Sequence, residues 1–466
     1  MRKLAVVVAL LAASSCSALE KQPIVEYHGR RVALAAKLHS GAALVFGNDE
    51  PREEYQSWRQ DEDFYYLTRW NEPGATLLIE ATYTPAPSPP VAAAVATSYQ
   101  AEPYREILFL PERNLRLEQY TGVKLDAHTP DAAKIAGVDE VHQLSELPAE
   151  LVRMTQHTTR RASIYTGGDD AKANAALTLL AVAYSVPPIA AQPVAPLTRD
   201  LRSFKSAGEL DLLRKASDAS NAAHRALFAA VHDGASERAV SGLIDQKLKE
   251  NGCERPSYPS IVGSGIHSTE LHYMDDSDTM HAGDLVVIDA AGEYSMYASD
   301  ITRTLPVSGH FTPRQREIYD IVLGAQRAAQ AAFVSGKSSM GSRFAKDTST
   351  SLDEVAYEYI NTHGHDLHGQ PLGKYFIHGL GHSVGIDVHD PFDYTSPFGP
   401  GAVFTIEPGI YIPEEKIGVR IEDTFYVDQE GKLISFQASL PHTADEVEAA
   451  MAAAQHPTAP GKSLKH

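Results

Sequence analysis

Four prolines fall within residues 187–196, in the segment SVPPIAAQPVAPLTRD: Pro187, Pro188, Pro193 and Pro196. Proline lacks a backbone N–H and disrupts the interior of helices and sheets, so no single core element runs through this segment. A chain of 466 residues is too long for one small core, and such a segment is typical of a domain boundary. We therefore predict a smaller domain at residues 22–198, a larger one at residues 199–445 and a flexible tail at residues 446–466.

The N-terminal residues have the pattern of a secretory signal peptide. The basic tripeptide MRK precedes a short apolar run, LAVVVALLAA, and the small residues SSCSA follow it. The apolar run is too short to span a bilayer, which favours a cleaved signal at residues 1–18 over an anchor. We therefore predict export to a bacterial periplasm. Cys16 lies in a weak lipoprotein-like cleavage box, so attachment to a lipid through this residue is the alternative.

Charge and cysteine content exclude some classes of partner and one source of stability, internal disulfide bonds. The formal net charge of −19 argues against nucleic acid or an anionic membrane as a partner. The only cysteine besides Cys16 is Cys253, so a chain without its signal peptide forms no internal disulfide. An exported protein of this kind depends on its hydrophobic core, or on bound metal, for stability.

The second half of the chain alternates between helix-start signals and short strand patterns. Ser206 with Glu209, and Thr312 with Gln315, each form a capping box, and a third helix in LDEVAYEYINTHG is expected to end at Gly364. Strand patterns lie between them in DLVVIDA, ITRTLPV, YFIHGL, AVFTIEPG and VRIEDTFYV. Because strands and helices do not alternate strictly, the pattern predicts an α+β domain with a mostly antiparallel sheet.

Several carboxylates lie at the ends of these strands. Asp289 ends LVVID and Asp300 begins DITRTLPV, so antiparallel pairing of the two strands would place both carboxylates on one side. Glu407 ends AVFTIE, and Glu422 follows Arg420 by two residues, which puts that pair on one face of a strand. Taken singly, an acid at a strand end is most often a solvated turn residue.

The stretch FIHGLGHSVGIDVHD supports two competing interpretations. GHSVG fits the G-x-S-x-G pattern of a serine nucleophile and nominates Ser383. That pattern requires a helix directly after the serine, and the proline-containing sequence IDVHDPFDYTSPFGPG disfavours one. Three histidines in the same stretch indicate a metal or acid/base site instead: His378, His382 and His389. We therefore favour His382 over Ser383 as the residue that carries the chemistry.

The order and local context of these blocks resemble a known family. VVIDA, DITRT, HGLGH with VHD, TIEPG and RIED follow one another as in the metallopeptidase family of aminopeptidase P and Xaa-Pro dipeptidase (prolidase), over most of residues 200–430. QDEDFYYLTRWNEPGATLLIE and FLPERN resemble, more loosely, the N-terminal domain of aminopeptidase P. The resemblance implies a C-terminal α+β domain of the pita-bread fold, with a curved and mostly antiparallel sheet, and a smaller N-terminal α/β domain.

The resemblance also implies the residues of the site. The implied metal ligands are Asp289, Asp300, His382, Glu407 and Glu422. Glu407 would also move the proton of the attacking water. His272, in STELHYMDD, and His389 would act in catalysis and contact the substrate, while His378 would line the substrate pocket. Arg420 would hold a ligand carboxylate in place.

Elementary electrostatics supports a metal-bound state of such a cluster. Two unit charges about 4 Å apart repel by roughly 4 kcal/mol at an effective dielectric constant near 20, so four converging carboxylates require cations. Oxygen donors with one imidazole suit Mn²⁺, with Co²⁺, Fe²⁺ or Zn²⁺ as alternatives. Two such ions about 3.5–4 Å apart lower the pKa of a bridging water and make hydroxide available near neutral pH.

We therefore predict a dinuclear metallo-aminopeptidase that hydrolyses the N-terminal Xaa-Pro bond of peptides. A prolidase restricted to dipeptides is the nearest alternative. A serine hydrolase that uses Ser383 and a non-catalytic pita-bread binding protein are two alternatives of other classes. The expected partners are peptides with proline at the second position. Because members of the family commonly form dimers or tetramers, the resemblance also implies a homo-oligomer.

Overall fold

The computed structural model describes residues 19–39, 41–51, 57–81, 104–157, 163–185 and 190–455. The predicted signal peptide, with Cys16, and residues 456–466 of the predicted tail lie outside these ranges. None of the helices in the described ranges combines the length and the apolar content needed to cross a lipid bilayer.

The first half of the chain folds around a mixed six-stranded sheet. Its strands are β1 (Ala42–Phe46), β2 (Thr76–Ala81), β3 (Tyr104–Leu110), β4 (Glu140–Gln143), β5 (Ile164–Gly167) and β6 (Gln192–Pro193), in the order β4-β3-β2-β1-β5-β6. β2 runs antiparallel to both of its neighbours, and the other pairs are parallel. The helices are α1 (Ile24–Leu38), α2 (Glu62–Thr68), α3 (Glu118–Thr121), α4 (Ala132–Ala136), α5 (Leu147–His157), α6 (Asp170–Tyr184) and α7 (Ala195–Arg202).

Both faces of this sheet are buried, which explains the nearly continuous apolar runs of β1 and β2. Ala43 and Val45 pack in one cluster with residues of α1, whereas Leu44 and Phe46 pack in another with residues of α6. Successive side chains of a strand point to opposite faces, so each run supplies both cores. The α/β character implied for this half is therefore confirmed.

The second half is built from long helices around short antiparallel strands. Its helices are α8 (Ala207–Ala230), α9 (Glu237–Glu250), α10 (Pro313–Ala332), α11 (Leu352–His363) and α12 (Ala444–Gln455). Its strands are β7 (Arg255–Pro256), β8 (Ile261–Ser264), β9 (Leu285–Asp289), β10 (Gly292–Tyr294), β11 (Tyr297–Ala298), β12 (Thr302–Pro306), β13 (Val403–Ile406), β14 (Gly409–Ile412), β15 (Ile417–Arg420), β16 (Asp423–Val427) and β17 (Leu433–Ser435).

Antiparallel pairing in this half agrees with the prediction. The strands pair as β8-β9-β12, β7-β10-β11, β13-β16-β17 and β14-β15, and each of these pairs is antiparallel. Asp289 lies opposite Thr302 in the β9–β12 pair, which brings Asp300 beside the end of β9. Both predicted capping boxes are present at the starts of α8 and α10, and α11 ends before Gly364.

Two strand predictions were wrong. The segment YFIHGL contains no strand: a 3-10 turn at Leu372–Tyr375 is followed by irregular chain, and the Leu380 N–H donates to the side chain of Asp353. VRIEDTFYV does not form one strand, because residues 421–422 interrupt it and separate β15 from β16. Glu422 lies at this interruption and forms a bridge with Thr302.

The termini of the predicted domains also differ from the structure. The proposed boundary at residues 198/199 falls inside α7. The helix can contain Pro196 because this proline lies in its first turn, where the missing N–H costs no intrahelical hydrogen bond. The tail was wrongly predicted to be flexible from residue 446. Residues up to 455 belong to α12, which packs Val447 and Met451 into the core beside α8.

Candidate active site and metal centre

One cavity of about 440 Å³ in the second half is lined by all five predicted metal ligands: Asp289, Asp300, His382, Glu407 and Glu422. Three of them lie next to paired strands, at the end of β9, just before β12 and just after β13. Glu422 lies between β15 and β16. His382 lies in an irregular segment, and its neighbour Ser383 forms a bridge with Phe404 of β13. Residues far apart in sequence therefore converge because the antiparallel strand ends meet at one place.

The nearest contacts within the cluster centre on His382. Its Nε2 lies 3.2 Å from Asp300 Oδ2 and 3.3 Å from Glu407 Oε1. Asp300, His382 and Glu422 each offer a ligand atom within 4.8 Å of the others, a spacing suited to a shared metal ion. Thr405 fixes the arrangement, since its hydroxyl accepts from the His382 backbone N–H at 3.0 Å and donates to Glu407 at 3.1 Å.

Tyr258 connects the two aspartates. Its hydroxyl oxygen lies 2.6 Å from Asp289 Oδ1 and 2.6 Å from Asp300 Oδ1. Burial raises the pKa of Tyr258 well above its usual value, and the charges of both aspartates act in the same direction. The hydroxyl therefore keeps its proton and holds these two carboxylates close together.

Arg420 holds a carboxylate, as expected, and also extends a chain of hydrogen bonds toward the substrate side of the cavity. It donates to Asp289 Oδ2 at 2.8 Å, to the Thr302 hydroxyl at 3.1 Å and to the Tyr411 hydroxyl at 2.8 Å. Because Tyr411 accepts from Arg420, its own proton is free to reach His378 Nε2, 2.9 Å away. This chain links a predicted ligand to a predicted substrate-binding histidine.

The opposite side of Arg420 is held by Thr302. The Thr302 hydroxyl donates to Glu422 Oε2 at 2.7 Å, and the Glu422 N–H donates to the Thr302 carbonyl at 3.1 Å. Thr302 therefore orients Glu422 through both its side chain and its backbone.

The electrostatics of the cluster favour uptake of positive charge. Burial raises the pKa of Glu407 to about 7, and the charges of Asp300 and Asp289 act in the same direction. Burial raises the pKa of Glu422 well above its usual value and also raises that of Asp289. Burial lowers the pKa of His382, but Asp300 and Glu407 outweigh this effect and bring it to about 9.

The donor set fits divalent cations. In the protein alone, Arg420 and protons on His382 and Glu407 offset part of the carboxylates' charge, and a divalent cation would replace those protons. Four carboxylates and one imidazole form an oxygen-rich set of the kind that Mn²⁺ and related ions prefer. The residues present therefore match the group that the resemblance implies.

The three other predicted histidines line the same cavity: His272, His378 and His389. The His389 ring packs edge-on against that of His382, with centroids 4.2 Å apart. Burial lowers the pKa of His389, and the charge of His382 acts in the same direction. Burial also lowers the pKa of His378 to about 3, and nearby Arg420 adds to the effect, so this imidazole is neutral.

The segment that carries His272 is fixed at its base by the buried carboxylate of Glu237. Glu237 accepts from the Ser264 N–H at 2.8 Å, from the Asp278 N–H at 2.8 Å and from the Tyr273 hydroxyl at 3.0 Å. His272 itself is exposed at the cavity wall. Its position is therefore set by backbone anchoring rather than by a side-chain partner.

Ser383 is not placed to act as a nucleophile. Its side chain is fully buried and does not line the cavity. The hydroxyl donates to the Val403 carbonyl at 3.2 Å and accepts from Lys205 Nζ at 3.3 Å, while Lys205 is itself paired with Asp390. No helix follows the serine directly, since residues 384–402 form turns and irregular chain. The serine-hydrolase alternative is therefore contradicted.

The sequence interpretation missed four residues of the site: Tyr258, Thr302, Thr405 and Tyr411. Thr302 could have been found, since it follows Asp300 by two residues in an alternating strand pattern and so shares its face. Tyr258 lies in the irregular residues 257–260 just after β7, and nothing in its local sequence indicates a role.

Comparison with known proteins agrees with this geometry. The sequence profile of "Metallopeptidase family M24" matches residues 211–429, and that of "Aminopeptidase P, N-terminal domain" matches residues 27–165. The chain is 33% identical to the Xaa-Pro aminopeptidase of Escherichia coli, over 92% of this chain and 98% of that protein. It is 39% identical to the Xaa-Pro dipeptidase of Pyrococcus furiosus, over 50% of this chain and 63% of that protein.

Solved structures with the same fold cover nearly the whole chain. Proline aminopeptidase P II from Yersinia pestis superposes with a TM-score of 0.77 at 31% identity, covering 92% of this chain and all of that one. Aminopeptidase P from Escherichia coli with the inhibitor Pro-Leu gives 0.78 at 30% identity, covering 94% of this chain and all of that one. The two-domain architecture, with a pita-bread C-terminal domain, is thus shared, and the chain belongs to metallopeptidase family M24.

Proposed function

We propose that this protein is a metal-dependent aminopeptidase that hydrolyses the N-terminal Xaa-Pro bond of peptides. The observation that carries the proposal is the convergence of the five proposed metal ligands and three other histidines on one cavity. The similarity to Xaa-Pro aminopeptidases along nearly the whole chain supports the same activity.

Within the proposed site, Asp289, Asp300, His382, Glu407 and Glu422 would hold two divalent ions, for which we propose Mn²⁺. The ions, when bound, would supply an activated water and polarise the scissile carbonyl. Glu407 would take up the water's proton and deliver it to the leaving nitrogen, because its carboxylate lies at the cavity wall beside His382.

The three histidines would orient the substrate. Neutral His378, which receives a hydrogen bond from Tyr411, keeps its ring fixed at the wall, and exposed His272 and His389 present their nitrogens to the cavity. Apolar Leu271 and Val388 line the same cavity and suit the pyrrolidine ring of proline. The Xaa-Pro bond is a tertiary amide without an N–H, so a site that depends on side-chain contacts has an advantage.

We further propose that the protein is exported, with residues 1–18 as its signal peptide, and that it forms a homo-oligomer. The basic, apolar and small-residue pattern of MRKLAVVVALLAASSCSA supports export to a periplasm, with lipidation at Cys16 as the alternative. Size-exclusion chromatography with light scattering and N-terminal sequencing of the secreted protein test these two proposals.

The activity is tested by chelation and by substitution of one ligand. Exhaustive chelation should abolish hydrolysis of Xaa-Pro peptides, and added Mn²⁺ should restore it. Asp289→Asn should lower kcat/KM by about 100-fold or more, since it removes a proposed ligand. Asp284→Asn, at the opposite end of β9 and outside the cavity, is the matched control and should retain activity.

The substrate range is measured on the same preparations. Comparable hydrolysis of longer Xaa-Pro peptides and of dipeptides identifies an aminopeptidase, whereas activity confined to dipeptides identifies the prolidase alternative. Elemental analysis should give two metal ions per chain. Undiminished turnover in the chelated protein would refute the metal-dependent mechanism.

A further inference from the structure

The proposed activity makes no use of His267, which lies just before the segment that carries His272. His267 belongs to a 3-10 turn (Gly265–Thr269) that follows β8. Residues 270–278 come next, and three of them line the metal-site cavity: Leu271, His272 and Met274. His267 itself does not line that cavity, so an effect on the substrate would act through this segment.

Both ring nitrogens of His267 face carboxylates at the two ends of this segment. Nδ1 lies 3.0 Å from Glu270 Oε1, and Nε2 lies 3.2 Å from Asp278 Oδ2. A neutral imidazole carries one N–H and can donate to only one of these carboxylates, whereas the imidazolium donates to both. The geometry therefore favours the protonated ring, which links the beginning of the segment to its end.

The His267 ring also covers the aromatic side chain in the middle of the segment. The rings of His267 and Tyr273 are stacked, with centroids 4.2 Å apart and planes 9° from parallel. Tyr273 is buried, and its hydroxyl donates to the buried Glu237 at 3.0 Å. Tyr273 is therefore held at its hydroxyl by Glu237 and at its ring face by His267, and it directly follows His272 in the chain.

The charges around His267 favour its protonated form. The charged and titratable groups that face the ring are Glu270, Asp278, Tyr273 and Glu237. Burial lowers the pKa of His267, but Glu270, Glu237 and Asp278 outweigh this effect and raise it above the ordinary 6.5. Because the folded-state pKa is raised, the stabilisation is fully present below pH 6.5 and is lost as the pH rises through the folded-state pKa.

We propose that protonated His267 is a positioning residue for substrate binding. It would hold residues 270–278 against the cavity, so that Leu271, His272 and Met274 stay in place at the wall. Loss of the proton would release one of the two carboxylates and loosen the segment. The role in substrate binding rests on the proposed function, whereas the effect on the segment itself does not.

Steady-state kinetics of the Mn²⁺-saturated full-length protein with an Xaa-Pro peptide test the role between pH 6 and pH 9. His267→Gln should raise KM about threefold at pH 6, where it removes two ion pairs, and kcat should stay within about twofold because no proposed metal ligand is altered. The ratio of KM values, variant over wild type, should fall toward one by pH 9, because the wild-type ring is then neutral as well. Taking this ratio at each pH cancels the titration of the metal ligands and of the substrate, which both proteins share.

Two further variants separate the charge of His267 from its packing. His267→Arg keeps a positive charge at every pH, so its KM should match the wild-type value at pH 6 and lie about threefold below it at pH 9. Glu270→Gln removes one of the two carboxylates and should raise KM at pH 6 by less than His267→Gln does. His310→Gln is the matched control, because His310 also pairs with a carboxylate, Glu448 at 3.0 Å, but does not line the cavity. Its KM should equal the wild-type value throughout.

Pulsed hydrogen exchange measures the segment without any need for activity. At pH 6 the amides of residues 270–278 should exchange about threefold faster in His267→Gln than in the wild type, and at pH 9 the two proteins should agree. Circular dichroism establishes that each variant is folded.

The proposal is overturned if the KM ratio and the exchange ratio for His267→Gln are the same at pH 6 and pH 9, because a purely structural role of the ring does not titrate. It is also overturned if His267→Arg behaves as His267→Gln does. A difference in exchange without a difference in KM would overturn the role in substrate binding. A wild type that shows the pH-dependent exchange but hydrolyses no Xaa-Pro peptide would refute the proposed function alone.

Discussion

Replacing Asp390 with asparagine should destabilise the contact between the two domains beside the active site. The carboxylate of Asp390 is 1% exposed, and it lies 2.6 Å from Arg202 Nη2 and 3.0 Å from Lys205 Nζ. Arg202 also pairs with Asp63 of α2, at 2.7 Å, so the network joins the first domain to the segment that carries His389 and Asp390. Asp390→Asn keeps the size of the side chain but leaves Lys205 without a carboxylate partner.

The magnitude follows from the burial of these groups. Removing one partner of a buried ion pair costs about 3–5 kcal/mol because the remaining charge stays in a poorly solvated place. Arg202 keeps Asp63, so we expect a loss of about 4 kcal/mol rather than the sum of two broken pairs. For a domain of this size, that corresponds to a decrease in Tm of roughly 8–16 °C.

The sign of the pH dependence follows from the depressed pKa of Asp390. Burial acts to raise this pKa, but the charges of Arg202 and Lys205 outweigh it and lower the value below the ordinary 3.8. The stabilisation is therefore fully present above pH 3.8 and is lost as the pH falls through the lower, folded-state pKa. Wild type and variant should thus differ most at neutral pH and converge in strong acid.

Calorimetry at pH 7, with guanidinium titration as a second measurement, tests this expectation. Asp393→Asn is the matched control, because Asp393 is exposed and bonds only to the nearby Thr395 and Ser396 among described residues. Lys205→Met and the double variant complete a cycle that isolates the pair. A free energy of unfolding for Asp390→Asn within about 0.5 kcal/mol of the wild-type value, the range typical of surface substitutions, would refute the reasoning from buried charge.

Three further outcomes are expected. Ser383→Ala should keep activity within about twofold, because the hydroxyl is buried outside the cavity, and a loss of two or more decades in kcat/KM would revive the serine mechanism. Tyr411→Phe should lower kcat/KM about tenfold by breaking the link between Arg420 and His378, and steady-state kinetics at wild-type rates would contradict that role. Metal affinity should rise by more than tenfold per pH unit below pH 7 and continue to rise toward pH 9, because Glu407, with a pKa of about 7, and His382, with a pKa of about 9, must both release a proton to become ligands. Calorimetric titrations in buffers of different ionisation enthalpy measure this proton release.

Much of the second domain followed from local sequence signals. Capping boxes at Ser206 and Thr312 fixed two helix starts because both partners of each box lie within four residues of one another. The failed strand in YFIHGL shows the limit of such signals. That segment takes its shape from Asp353, which holds the Leu380 N–H, and no local pattern encodes this contact.

The tail and the boundary failed for different reasons. The stretch ADEVEAAMAAAQ carries clear helix signals that the prediction overlooked, since it is rich in alanine and Thr443 and Glu446 form a capping box at its start. Its Val447 and Met451 enter the core. Pro196 was taken as a sign of a linker, but the same residue is compatible with the first turn of a helix. A single local pattern here permits two structures, and tertiary packing selects one.

The sequence by itself determined which chemical groups are available and the family they resemble. It supplied four carboxylates and a histidine at recognisable positions, and a serine motif that competed with them. Only the tertiary structure decided which groups share space. Antiparallel pairing places Asp289 and Asp300 beside one tyrosine hydroxyl and buries Ser383 behind the cavity wall. The physical reason is that distances between side chains from distant segments depend on how whole strands pack, whereas residue types and local spacing can be read along the chain.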